Sequence, residues 1–405
     1  MLVETDLLGA PYQRRVIDLG EDDEGPVVAT LVSRPAREQT RRAVLWVHGF
    51  SDYFFQTHVA DFFTDQGFDF YALDLRKYGR SLRAHQTPNF CRSLGEYDQE
   101  LDQAARIIQA EGHDRLLVAA HSTGGLIAAL WAHRRRGTGM VDGLFLNSPF
   151  FDLNVPPVLR AQSRALEWLG RHRPYGALPK PTFPLYAHSL HVDFRGEWAY
   201  DLRWKPVGGF PVRYGWLAAV RAGQRRLYAG LSVDVPVLVG ASTRSYRGRR
   251  WHELARWSDT VLDVTDIVRW APHVGRHVTI LRVDGGMHDL TLSAPPVRKV
   301  VFSELAQWTR TYLGAGAPRR RGKARAGKVV RARAGAVAQP MAQAGTTRPA
   351  PGPEAARRRG GQAAAPAAPH PVAPPEADPS RTRPAGAGPA AAPPTSAVAA
   401  PADRD

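Results

Sequence analysis

Leu116-Leu117-Val118-Ala119-Ala120-His121-Ser122-Thr123-Gly124-Gly125 decides how this chain is read. The apolar run 116–120 is unbroken, as a strand buried on both faces requires. Small residues flank Ser122, and residues 124–135 then read as a helix. A serine between such a strand and such a helix sits on a sharp turn that lifts its hydroxyl above the sheet edge. The helix start behind it favours negative charge near that hydroxyl. Ala120 stands where this turn usually has Gly, a difference of one methyl group.

Strand and helix alternate on both sides of the turn. Residues 43–47, 68–75, 141–147, 235–239 and 278–283 read as further strands, and 56–66, 94–109 and 297–313 as helices. Alternation of this kind implies a mostly parallel sheet with helices on both faces. Two alternating segments, 15–19 and 27–33, flank an acidic turn and read as an antiparallel pair at one sheet edge. The rhythm breaks from 150 to 231, a stretch rich in Trp, Tyr, Pro and Arg with one helical piece at 158–169 and no strand run. It reads as an insertion over the sheet. No internal repeat is evident.

A prior of roughly 150 residues per domain would divide the 405 residues into two or three units. Residues 315–405 hold 16 of the 33 prolines and almost no large apolar side chain, so they are expected to stay disordered. The expected organisation is a core at 1–149 and 232–314, a cap insertion at 150–231 and an Ala/Pro/Arg-rich tail at 315–405. The tail also has 15 Lys+Arg against 5 Asp+Glu, so most of the formal net charge of +16 belongs to it. The body therefore makes no case for a nucleic-acid-binding domain. Cys91 is the single cysteine, which excludes an intramolecular disulfide and any multi-cysteine metal cluster. No signal peptide or membrane span is read, and a soluble, cytoplasmic protein is the expectation.

The residues around Ser122 complete a catalytic pattern. His48-Gly49-Phe50 follows the strand 43–47, where a second backbone donor for an oxyanion is needed, so Phe50 and Thr123 are the two expected oxyanion-hole amides. Gly49 allows close backbone approach. His288, in Gly285-Gly286-Met287-His288-Asp289, follows the strand 278–283 and is the expected general base. The acid is sought among Asp234, Asp259, Asp263 and Asp266. Asp234 precedes its strand, at the wrong end. Asp259 is preferred and Asp263 held in reserve, although an Arg- and Trp-rich stretch, 242–257, separates Asp259 from the strand end.

With these residues in this order, the body resembles the α/β-hydrolase superfamily, and within it the serine aminopeptidase-like group that includes monoacylglycerol lipases and lysophospholipases. The motifs that carry the likeness are Val47-His48-Gly49-Phe50, Asp74-Leu75-Arg76-Lys77-Tyr78-Gly79-Arg80-Ser81, Ala120-His121-Ser122-Thr123-Gly124-Gly125 and Met287-His288. Lys77 replaces the first Gly of the group's Asp-x-x-Gly-x-Gly-x-Ser loop, which bears on local backbone shape. Asp259 and Asp263 fit the group's Asp-x-x-x-Asp stretch before the histidine. The likeness covers about residues 43–313, is weak across 150–231, and has no counterpart for the tail. It implies a serine hydrolase with an acyl-enzyme intermediate and no metal or organic cofactor.

The cap would choose the substrate. Its aromatics (Phe150, Phe151, Trp168, Tyr175, Phe183, Tyr186, Phe194, Trp198, Tyr200, Trp204) and its basic Arg160, Arg164, Arg171, Arg195 and Arg203 suit an apolar acyl slot with cations at its mouth. The same residues also suit a packed lid with solvated arginines. A small-molecule acyl ester is the expected substrate. An aminopeptidase would need carboxylates for a substrate ammonium, and Asp152, Glu167, Asp193, Glu197 and Asp201 are available. A non-catalytic protein of this fold is a further alternative, opposed by the complete residue set. The basic run from Arg319 to Arg333 could contact nucleic acid or an anionic membrane, but it lacks interleaved aromatics and apolar residues, so a solvated extension is expected.

Overall fold

Successive residues along each central strand belong alternately to two apolar sets, and the two sets build the two faces of the sheet. The computed structural model describes residues 2–153, 163–179, 185–248 and 250–314; the tail lies outside them. Nine strands, β1 (Val3–Thr5), β2 (Gln13–Asp22), β3 (Gly25–Arg34), β4 (Arg42–Val47), β5 (Asp69–Asp74), β6 (Arg115–His121), β7 (Gly143–Asn147), β8 (Val237–Ser242) and β9 (Val278–Val283), form one sheet. Their order is β1-β2-β3-β5-β4-β6-β7-β8-β9. The pairs from β5 through β9 are parallel, while β1, β2 and β3 add antiparallel strands at one side. The hairpin expected at 15–33 is thus present, with the short β1 beyond it.

Val44, Trp46, Phe70, Ala72, Leu117, Ala119, Phe145 and Leu238 pack on helices α1 (Thr57–Asp65) and α8 (Pro295–Leu313). Their neighbours Ala43, Leu45, Val47, Leu73, Val118, Ala120, Leu144 and Val239 pack on α2 (Asp98–Ala110) and α3 (Thr123–Arg134) on the other side. Burial on both faces explains the continuous apolar runs, since neither side of these strands meets water. Helix α3 is itself buried along nearly its whole length, which a helix apolar all round requires.

The connection between β7 and β8 departs from the sequence reading. It contains α4 (Ser163–His172), α5 (Leu185–Leu190) and α6 (Tyr214–Tyr228), where one helical piece at 158–169 was expected. Residues 154–162, the start of that piece, lie outside the described residues. In α6 the buried Trp216, Leu217, Val220 and Leu227 are interrupted by arginines and by two glycines, which hides the helical period. Gly223 answers to packing, because a Cβ there would stand 2.8 Å from Leu94 Cδ1 and 2.9 Å from Leu130 Cδ1. A short helix α7 (Val264–Trp270) between β8 and β9 was also not anticipated. Among the described residues no helix is long and apolar enough to cross a membrane.

The order of the strands determines where chemistry can sit. From β4 the chain crosses to β5 on one side and later to β6 on the other, so a crevice opens beyond the C-terminal ends of β4 and β6. Val47 and Ala120 are register partners there, and the loops carrying Phe50 and Ser122 therefore emerge side by side.

Candidate active site

Ser122 adopts φ 53° and ψ −118°, a conformation that most residues avoid. Its amide donates to the Asn147 carbonyl at 3.0 Å, and its own carbonyl accepts from Gly125 and Phe150, each at 2.9 Å. The glycines of the turn are there for space. A Cβ on Gly124 would lie 2.3 Å from the His48 carbonyl oxygen, and one on Gly125 2.8 Å from Pro149 Cβ. The turn can close against the end of β4 and against Pro149 only without those atoms. Thr123 opens α3, where the first amides have no intrahelical acceptor, and Phe50 lies across from it on the β4 loop.

His48 serves the scaffold. The Leu75 amide donates to its Nε2 at 3.0 Å, so the ring proton is on Nδ1, which donates to the Gly49 carbonyl at 2.8 Å. Complete burial keeps this ring's pKa below the usual histidine value. The neutral imidazole ties the ends of β4 and β5 together beneath the Phe50 loop.

His288 Nε2 lies 3.0 Å from Ser122 Oγ, and its Nδ1 lies 2.9 Å from Asp259 Oδ2. Asp259 and His288 are both buried. The other oxygen of Asp259, Oδ1, accepts from the amides of Val261 and Leu262, at 2.8 Å each. An acceptor at Nδ1 fixes the proton there and leaves Nε2 free to accept from Ser122. The loop bearing His288 is fastened from below: Asp289 Oδ1 accepts from Asn147 Nδ2 at 2.7 Å, and the Leu290 amide donates to Asn147 Oδ1 at 3.1 Å. Asn147 ends β7, so one residue joins the serine turn through its backbone carbonyl and the histidine loop through its side chain.

The stretch 242–257 does not carry Asp259 away from the strand end. Ser245 bridges Asp259 in parallel, with the Asp259 amide donating to the Arg244 carbonyl at 3.0 Å and the Tyr246 amide to the Asp259 carbonyl at 2.8 Å. The insertion leaves and returns at one place. Asp263 caps α7, accepting from the Thr265 amide at 3.0 Å, and pairs with Arg247. Asp266 sits within the first turn of α7, and Asp234 accepts from the Gly137 amide at 2.8 Å. Neither Asp263, Asp266 nor Asp234 is joined to His288 by a hydrogen bond in the described structure.

Ser122 and His288 open onto a cavity of about 320 Å³. Its apolar lining includes Phe50, Phe150, Leu153, Val212, Trp216 and Leu262. Its polar lining includes Asp52, His121, Tyr186 and Lys205. Lys205 Nζ reaches Asp52 Oδ1 at 2.6 Å, and His121 Nδ1 lies 3.4 Å from Asp52 Oδ2. Burial alone would raise the Asp52 pKa, but the ammonium and imidazole beside it hold the carboxyl well below the usual range.

Among the described residues, the arginines of the β7–β8 connection that were read for a cavity mouth fall elsewhere. Arg195 lies over the Trp251 ring and Arg203 pairs with Asp201, while the cavity's cation is Lys205, which the sequence reading passed over. The aromatics divide in the same manner. Phe150 and Tyr186 line the cavity, but Phe151 is core, Tyr175 stacks on Phe90 and Trp198 on His58. Phe183 and Arg160 lie outside the described residues, as do the side chains of Arg164 and Glu167. Of the cap acids, Asp152 pairs with Arg221, Glu197 with Arg298 and Asp201 with Arg203. Asp52 could have been noticed two residues beyond Phe50. Nothing in the local sequence marks Lys205. Among the described residues, no group of three or more His, Cys, Asp or Glu side chains could hold a metal ion.

Residues 38–203 match the family described as serine aminopeptidase, S33. In structure the chain is similar to a soluble variant of monoglyceride lipase from Saccharomyces cerevisiae, with TM-score 0.53 and 15% identity, covering 73% of this chain and 95% of that one. It is likewise similar to the monoacylglycerol lipase of Paleococcus ferrophilus (TM-score 0.50, 16% identity, 76% and 98% covered). A third similar structure is a lipase in its open form (TM-score 0.53, 17% identity, 73% and 97% covered). No curated protein matches the sequence. The sheet order, the serine turn and these matches give the chain the α/β-hydrolase fold.

Proposed function

We propose that the chain is a serine hydrolase that cleaves a carboxylic ester with an apolar acyl chain, such as a monoacylglycerol or a lysophospholipid. The observation that carries this reading is the hydrogen-bonded series Ser122–His288–Asp259 opening onto a largely apolar cavity. Ser122 Oγ attacks the acyl carbonyl while His288 Nε2 takes its proton, and Asp259 stabilises the imidazolium. The Phe50 and Thr123 amides hold the oxyanion, a contribution worth about 3–4 kcal/mol per donor in the transition state. As the tetrahedral intermediate collapses, the alcohol leaves with the proton from His288. Water then gives a proton to His288, attacks the acyl-enzyme, and releases the acid, and Ser122 recovers its hydrogen.

In this reading residues 150–231 act as the cap over a core of 1–149 and 232–314, and the part of the cavity lined by its apolar residues, the acyl arm, takes the acyl chain. The same cavity speaks against an aminopeptidase. A substrate ammonium needs an available carboxylate, and the one among the described lining residues, Asp52, is already held by Lys205.

The test is hydrolysis of p-nitrophenyl esters from acetate to palmitate beside aminoacyl-p-nitroanilides, with wild type and Ser122→Ala together. Ester turnover should rise with chain length until the acyl arm is filled and should vanish in the variant. Turnover retained by Ser122→Ala, or turnover of anilides alone, would refute the reading.

A further inference from the structure

The loop that follows Phe50 is held from the cap at three consecutive residues. Ser51 Oγ accepts from the Phe210 amide at 2.8 Å, Asp52 Oδ1 from Lys205 Nζ at 2.6 Å, and Tyr53 Oη from the Asp201 amide at 2.7 Å. Ser51 has φ 50°, a left-handed conformation that a non-glycine residue keeps only when its surroundings impose it. On the core side the Ser51 amide donates to Asn89 Oδ1 at 3.1 Å, and the Phe54 amide to Asp74 Oδ1 at 2.9 Å. The loop therefore lies between two sets of fixed partners, one in the core and one in the cap segment.

Lys205 is the strongest cap partner. It is buried, and its ammonium lies 5.5 Å from the Tyr186 ring centre, 5.6 Å from Tyr200 and 5.7 Å from Phe55. Those rings help to hold the cation in place. Without Lys205, the buried Asp52 carboxylate would keep only His121 at 3.4 Å. An uncompensated buried charge forces the group to move toward water or take up a proton, and either outcome loosens the loop.

From this geometry we infer that Lys205 is a positioning residue, which sets the Phe50 amide in the oxyanion hole by holding Ser51, Asp52 and Tyr53 against the core. The inference rests on the functional reading above, in which Phe50 supplies one oxyanion donor. The cap is then a structural part of the oxyanion hole as well as the wall of the acyl arm. Lys205 itself touches no reacting atom.

The experiment compares Lys205→Met, Lys205→Arg and Ser51→Ala with wild type on a p-nitrophenyl ester and on the matched thionoester. Sulfur is a weak hydrogen-bond acceptor, so a thionoester profits little from a well-placed amide. Removing a whole oxyanion donor costs about 10²–10³ in kcat, and a displaced donor should cost about 10–100-fold. Lys205→Met should therefore lose about that much kcat on the oxygen ester, less on the thionoester, with KM nearly unchanged. Lys205→Arg, which keeps the charge, should recover part of the loss, and Ser51→Ala should show a smaller loss of the same kind. Hydrogen exchange of the amides in 50–54 should quicken in Lys205→Met.

Equal losses on both esters, a rise in KM alone, or unchanged exchange in 50–54 would overturn the inference. Should Lys205→Met fail to fold, Lys205→Arg and Ser51→Ala decide by the same comparison. If wild type cleaves no ester, the functional reading fails and takes this inference with it. If wild type cleaves esters and the variants match it, only this inference fails.

Discussion

Replacing Asp259 by asparagine tests the proposed acid with almost no change in shape. Asp259 Oδ1 accepts two backbone amides, from Val261 and Leu262, at 2.8 Å each. Backbone amides only donate, so the asparagine must turn its carbonyl oxygen toward them and its NH2 toward His288. His288 Nδ1, 2.9 Å away in the native protein, would then have to accept. The ring proton would move to Nε2, which faces Ser122 Oγ at 3.0 Å and would become a donor where an acceptor is needed. The wrong tautomer costs about 10⁴ in kcat, equivalent to roughly 5.5 kcal/mol. The fold should hardly notice, since both backbone hydrogen bonds survive. The assay is p-nitrophenyl ester turnover together with thermal unfolding. Asp263→Ala is the control, because it removes the α7 cap and should cost about 1 kcal/mol of stability while leaving turnover near wild type. Turnover of Asp259→Asn above about a tenth of wild type, or an equal loss in the Asp263 variant, would refute the tautomer argument.

Gly124→Ala should lower both stability and turnover. Its Cβ would meet the His48 carbonyl oxygen at 2.3 Å and the Val47 carbonyl oxygen at 2.8 Å, and overpacking of this kind costs about 1–3 kcal/mol. Because the clash separates the Ser122 turn from the Phe50 loop, kcat should fall about 10²-fold, and a variant with wild-type kcat would contradict the close-approach argument. His113 places its ring nitrogens 3.0 Å from the Ile108 carbonyl and 2.8 Å from Asp69 Oδ2; burial lowers its pKa, but the two acceptors outweigh burial and raise it. A raised folded pKa gives stability that is complete below the ordinary histidine value of about 6.5 and lost as pH rises through the folded value. Urea unfolding should thus show His113→Gln costing more at about pH 5.5 than at about pH 8.5, and equal costs would disprove the charged ring. Lys77→Gly should destabilise by about 2 kcal/mol in the same assay. Glycine relieves the φ of 64°, but it abandons Asp22 and Glu24, which the ammonium holds at 2.6 and 2.5 Å. A gain in stability would mean that the backbone strain outweighs the buried pair.

Much of the architecture is legible along the chain because each signal is local. The run Leu116–Ala120, the small residues after it and the apolar spacing of α3 report one strand, one turn and one helix within twenty residues. Order along the chain also narrows the choice of histidine, since a parallel sheet brings the C-terminal ends of its strands to one edge. What local pattern cannot carry is the meeting of distant residues. Asp259 and Asp263 stand four residues apart and share one motif, yet the Ser245–Asp259 bridge turns one toward His288 while the other caps α7. Helix α6 was missed because arginines and packing glycines interrupt the period that would reveal it, and α5, six residues long, is too short to show a period.

The cavity shows the same division most clearly. By itself the sequence determined the sheet, the serine turn and the set of residues from which an acid and a base could come, because those depend on burial period, turn sterics and order along the chain. Only the tertiary structure decided that Lys205 crosses from the β7–β8 connection to Asp52, so that among the described lining residues the carboxylate is neutralised and the cation is a lysine. An ion pair between residues 52 and 205 depends on how the β7–β8 connection folds back over the sheet. Its strength is the Coulomb attraction of two charges away from water, and that environment exists only once the chain has closed around both groups.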